Sequence, residues 1–214
     1  MSEQWVERSR ANLLPLSETN NFEDALKEWI YTGYSNDLEI ANEHCELCEH
    51  SHIRYQFEIE NKYNGNTLLV GSECINKFGI LSIDEKGHIL NHQQSKSKVN
   101  RDKNSLIKKS KEKLLINKLV ELAQKDNEFN IQSFIDYYQS RKAFTPKQLF
   151  LLIWRFDKTG ISYKPSMFTM TMRRHSEQAQ LQQMDTWKIE KILPCMKSHQ
   201  KQWGKNNIIS FRNK

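Results

Sequence analysis

The sequence predicts an α+β fold, in which a small β-hairpin module anchored by cysteines precedes an all-α half, and three observations predict it. Cys45 and Cys48 lie two residues apart, and a third cysteine, Cys74, returns on the far side of an alternating segment. That segment places Ile53, Tyr55, Phe57 and Ile59 between Arg54, Gln56, Glu58 and Glu60, the period of a half-buried strand. From Ser105 onward the apolar residues recur instead at helical spacing.

The elements follow in order. Phe22, Ala25, Leu26, Trp29 and Ile30 predict a helix of about three turns, with Asn20 or Asn21 as its cap and Gly33 as its stop. After the strand, Asn64-Gly65 offers the positive φ of a tight turn, and Thr67 to Gly71 returns as the second strand. Ser72 is placed to cap a short helix carrying Cys74, Ile75 and Phe78, so the third sulfur falls in a first helical turn. Residues 79–94 show weak periodicity and read as a linker. A helix over 105–124 then opens on Lys108, Lys109, Lys111 and Lys113 and continues with Leu115, Leu119 and Leu122. Ile131, Phe134, Ile135 and Tyr138 predict the next helix.

Thr145-Pro146-Lys147-Gln148 is a capping box with proline at the first helical position, which starts a central helix ending near Gly160. Pro165-Ser166 predicts another, with Met167, Phe168, Met170 and Met172 inward and Arg173, Arg174 and His175 near its middle. Asp185 is expected to cap a helix through Leu193, interrupted at Pro194, and Ser198 to Trp203 makes a final turn or helix. The organisation expected is a helix plus hairpin module over 1–94, a helical domain of about five helices over 95–204, and a disordered basic tail over 205–214.

Lys and Arg number 32 against 26 Asp and Glu in 214 residues, a net charge of +6. The excess gathers in 96–118 and after residue 188, the pattern of an electrostatic footprint for a polyanion. No run of eighteen apolar residues, signal peptide or lipidation motif is visible, so a cytoplasmic protein that does not engage membranes is expected. Thiols stay reduced there, and a CxxC pair then points to metal. Cys45, Cys48 and Cys74 are the expected Zn²⁺ ligands, and knuckle, hairpin and helix in that order describe a treble-clef-like zinc module. The fourth ligand is open among His44, His50, His52, a carboxylate and solvent; His50, two residues beyond Cys48, is the first choice. Cys195 stands far from the others and reads as a buried small apolar residue.

These residues also carry a resemblance. Phe22-x-x-Ala25-Leu26-x-Glu28-Trp29, the CxxC, Ile53-Arg54-Tyr55-x-Phe57-x-Ile59-x-Asn61 and Leu69-Val70-Gly71-Ser72-x-Cys74-Ile75-x-x-Phe78 are similar to a group of uncharacterised bacterial zinc-knuckle proteins met on mobile elements. The similarity continues through Phe144 to Gln148, Trp154-Arg155, Pro165-Ser166-x-Phe168 and Arg173-Arg174, most of the chain. It implies a zinc site and this fold, and it implies no reaction.

Two functions are therefore expected in order. The first is a zinc-binding accessory or regulatory protein that associates with nucleic acid, DNA or RNA, in a mobile-element or phage-defence setting. Lys108, Lys109, Lys111, Lys113, Arg173 and Arg174 would make its phosphate contacts, with Tyr55, Trp154 and Trp187 available for stacking where exposed. The second is a protein-protein adaptor or inhibitor with a purely structural zinc site, using the methionines Met167, Met170 and Met172 as an adaptable surface. No P-loop, GxGxxG, nucleophile elbow or HExxH occurs, so neither an enzymatic role nor a small-molecule substrate has a motif behind it.

Overall fold

The computed structural model describes residues 3–208, and the chain divides into two compact units, 1–110 and 111–214. The first unit opens with α1 (Glu3–Leu13), a helix the polar N-terminus did not suggest. Its packing face is Trp5, Ser9 and Leu13 at i, i+4 and i+8, and the Trp5 ring stacks on Phe78 with centroids 4.3 Å apart. In α2 (Phe22–Glu28), Asn21 caps as expected, its side chain accepting the N–H groups of Glu23 and Asp24.

That helix ends before Trp29 and Ile30, which the helical spacing had included. Both begin β1 (Trp29–Asp37), because the Trp29 indole is buried and donates to the Ser17 hydroxyl at 2.9 Å. Gly33 is thus a strand residue at φ 95°, where the pairing register slips between Tyr31 and Ser35.

A short pair, β2 (Glu43–His44) and β3 (Ser51–Ile53), flanks the CxxC turn. The expected hairpin follows as β4 (Tyr55–Asn61) and β5 (Thr67–Val70), with Gly65 at φ 74° in the turn. Next comes α3 (Ser72–Phe78), which Gly71 rather than Ser72 caps; Ser72 is already helical and its side chain makes no cap. The expected linker is not structureless: β6 (Leu81–Ser82) pairs parallel with β1 and completes a sheet of order β5-β4-β1-β6. Trp29, Tyr31, Phe57, Ile59 and Val70 form the core of this unit with Leu13, Leu47 and Ile75.

The helix expected from Ser105 runs much longer, as α4 (His92–Lys125), and the expected domain border after residue 94 falls within it. The cause is packing. Val99 is buried in the core of the first unit, and the Tyr31 hydroxyl donates to Asp102 at 3.0 Å. Further along the same helix, Leu115, Leu119 and Leu122 belong to the core of the second unit.

The described residues of the second unit are mostly helical. It continues with α5 (Gln132–Arg141) and α6 (Pro146–Thr159), the latter opened by the expected capping box: Gln148 N–H donates to the Thr145 hydroxyl, and Thr145 N–H to the Gln148 side chain. Gly160 closes α6 in the left-handed region at φ 67°.

The helix expected from Pro165 is a single 3-10 turn, after which the chain is extended. Phe144 and Met170 bridge in parallel, Phe144 N–H donating to Thr169 and Thr171 N–H to Phe144. Arg173 and Arg174 accordingly precede α7 (His175–Gln182) instead of lying within a helix. The remaining elements are α8 (Thr186–Ile192), a 3-10 turn at Pro194, and α9 (Ser198–Asn207).

Of the tail expected to be disordered, 205–207 are helical and Ile208 is buried; 209–214 lie outside the described residues. Among the described residues, no helix is long and apolar enough to cross a membrane.

Candidate functional site

The three expected sulfurs meet in the first unit. Cys45 and Cys48 sit on a tight turn held by Cys45 N–H to the His50 carbonyl at 2.9 Å and Glu49 N–H to the Cys45 carbonyl at 2.8 Å. Glu49 adopts φ 58° to make that reversal. Two neighbours fix the turn: Asn12 of α1 donates to the Leu47 carbonyl, and Glu46 N–H donates to Leu69 of β5.

Cys74, in the first turn of α3, then brings its sulfur to 3.6 Å from Cys45 and 3.2 Å from Cys48. All three sulfurs lie within 4.8 Å of one another and are buried. These separations are too long for a disulfide, whose sulfurs stand about 2 Å apart. They approach the ~3.8 Å between sulfurs bound at 2.3 Å around a tetrahedral ion.

The electrostatics suit a cation. The hydrogen bond from Cys74 pulls the Cys45 thiol below its ordinary range, helped by the N–H groups of Gly71, Cys48 and Leu47 against the cost of burial. Cys74 is pushed the other way, chiefly by Cys45 and then by burial. Three buried thiols within reach of one another form a donor set that favours a soft or borderline metal. So the donor set fits a metal ion.

Among the described residues no histidine, aspartate or glutamate joins the three thiols in this group. His50 is exposed and lines a cavity of about 300 Å³ together with the cysteines, Arg54, Lys77 and Lys103. Cys195 lies apart from them, in the apolar core of the second unit, where burial pushes its thiol up to about 11.

A second feature belongs to the second unit. A cleft of about 620 Å³ is lined by Arg141, Arg173, Arg174, Lys197, His199 and Trp203, with Lys142 beside them. Lys142 pairs with Glu112, whereas among the described residues Arg141, Arg173, Arg174 and Lys197 enter no ion pair. The single carboxylate in the lining, Glu177, is spent inside the protein: it accepts from the Thr171 hydroxyl at 2.9 Å and from Arg174 N–H at 3.1 Å. Burial pushes that carboxyl up, yet these bonds, one from Arg173 N–H and the Arg174 charge together hold it below the usual range.

Glu177 therefore pins the extended segment ahead of α7 while both guanidinium groups stay exposed. Gln200 secures the same segment from α9, donating to the Met170 carbonyl at 2.7 Å and accepting Lys197 N–H at 2.9 Å. Cations crowded into a concavity focus their field and raise the local concentration of anions.

The other expected contacts are distributed differently. Lys108, Lys109, Lys111 and Lys113 are exposed on α4 and do not line this cleft. Trp154 and Trp187 are exposed on α6 and α8, 38% and 50% respectively, whereas Met167, Phe168 and Met170 are buried core residues, of which Met170 also borders the cleft. Arg141, Lys197, His199 and Trp203 had no local motif to single them out; only the fold gathers segments so distant in sequence. Comparison with protein-family models, with curated proteins and with solved structures gives no match to this chain.

Proposed function

We propose that the chain is a zinc-binding accessory or regulatory protein that associates with nucleic acid mainly through its phosphates. The observation that carries this reading is the cleft of the second unit, in which Arg141, Arg173, Arg174 and Lys197 converge around a single carboxylate, Glu177, that is engaged by hydrogen bonds within the protein. Unpaired cations in a preformed concavity release counterions from phosphates without first breaking internal ion pairs, and guanidinium groups match phosphate oxygens in pairs. The exposed lysines of α4, from Lys108 to Lys113, extend the basic character along the chain.

The zinc is structural in this proposal. Cys45, Cys48 and Cys74 hold it, His50 on the wall of the same cavity takes the fourth position, and knuckle, hairpin and α3 form a treble-clef-like module. A bacterial mobile-element or defence setting and a cytoplasmic location rest on the motif resemblance and on the reduced thiols alone. The adaptor alternative has little methionine surface behind it, because Met167 and Met170 are buried in the core and Met172 is half-buried against it.

Fluorescence anisotropy with a labelled oligonucleotide at low and high salt tests the binding, alongside metal analysis of protein purified without added metal. The expected result is affinity that falls steeply with salt, a loss of at least ~tenfold in Arg173→Glu/Arg174→Glu, and zinc bound stoichiometrically. Binding indifferent to both salt and the double substitution would remove the reading.

A further inference from the structure

We infer that the cleft of the second unit accepts an unpaired nucleotide, so that its nucleic-acid partner is single-stranded or frayed rather than duplex. The inference rests on the reading of this cleft as the phosphate site and specifies what enters it. Its lining is two-sided. Arg141, Arg173, Arg174 and Lys197 supply charge, while Met170, Met172 and the Trp203 ring supply an apolar and aromatic wall.

Trp203 is half-buried on α9, packed against the core of the unit, and His199 precedes it by one helical turn on the same face. The side chain is thus packed against the core while it also lines the cavity. A volume of about 620 Å³ lies within the range of small-ligand sites and suits a base with its sugar and phosphate. Duplex DNA offers phosphates on a convex surface and keeps its bases stacked inside, so it would leave the aromatic wall without a partner. A single strand can turn a base onto that wall while its phosphates meet the guanidinium groups.

The floor is also stiff. Thr169 and Thr171 are tied to Phe144 through the backbone, Glu177 holds Thr171 and Arg174, and Gln200 holds Met170. Preorganisation of this kind lowers the ordering cost of seating a small group. It also spends the polar groups of Glu177 and Gln200 internally, so the site distinguishes paired from unpaired nucleotides rather than one base from another.

The test compares labelled oligodeoxythymidylate with a blunt duplex of equal phosphate count, using the full chain and its Trp203→Leu and Trp203→Phe variants. Leu keeps apolar volume against the core and removes the ring face; Phe keeps a ring. The expected result is single-strand binding at least ~tenfold tighter than duplex, a preference lost in the Leu variant and retained in large part by Phe. Equal affinity for both probes, or a Leu variant that weakens both alike or neither, would overturn the inference while leaving phosphate binding intact. Absence of binding to either probe would sink both readings.

Discussion

The two units hold clusters of chemically active side chains in place by different means. The first has a sheet whose longest pairing joins β1 to β4, a core of mixed aromatic and aliphatic residues, and three buried thiols gathered under the hairpin. The second unit has no metal group among its described residues; Leu149, Leu152, Ile153, Phe156 and Phe144 interlock there with no exposed surface at all.

Each unit also contains one buried glutamate used as a pin. Glu28 accepts from the N–H groups of Glu18 and Thr19 and from Asn61, and Glu177 fastens the arginine segment. The comparison teaches that a buried carboxylate can order a loop in either architecture, whereas among the described residues the thiol cluster belongs to the first unit alone.

The largest effect should come from the cysteines. Cys74→Ser or Cys48→Ser, or chelation of the intact chain, is expected to melt the first unit and spare the second, because metal binding contributes on the order of 10 kcal/mol to such modules. A thermal scan by circular dichroism would then split into two transitions, the helical one unmoved. A single transition and full metal content in either variant would contradict the contrast.

A smaller effect is expected at Glu28. Burial pushes its carboxyl up, but the hydrogen bonds from Glu18, Asn61 and Thr19 hold it below its ordinary 4.5. A depressed pKa means that its stabilisation is fully present above the unfolded value and is lost as pH falls through the folded one. Glu28→Gln should therefore cost about 1–3 kcal/mol near neutrality, with the gap to the parent closing as pH drops below 4.5. Urea unfolding of both chains across that range checks it; a gap independent of pH would show that the charge is not what holds the loop. The smallest effect is in the second unit: Thr145→Ala removes one half of the capping box on α6 and should cost ~1 kcal/mol in the same measurement, without touching the first unit.

Much of this was legible from residues alone where the signal is local. The capping box at Thr145, the turn at Asn64-Gly65, the alternation from Tyr55 to Ile59 and the placing of Cys74 in a first helical turn are all properties of a few neighbouring residues. Local signals failed where tertiary packing outweighed them. Trp29 fits a helical period as well as it fits a strand, and only the core beneath the sheet selects the strand. The polar run before Ser105 hides the start of α4, since Val99 and Leu106 find apolar neighbours only in the first unit. Met167 to Met172 carry apolar side chains at helical spacing, yet pairing with Phe144 extends the segment.

The sequence by itself determined which atoms could bind what: three thiols in a spacing that permits one tetrahedron, and cations in excess toward the C-terminal half. The tertiary structure decided which of those atoms act together. It left the α4 lysines spread along an exposed helix, and it joined Arg141, Arg173, Arg174 and Lys197 around Trp203. The physical reason is range: caps, turns and thiol pairs are set by bonds spanning a few residues, whereas a cleft is the space left when distant segments bury their apolar faces against one core.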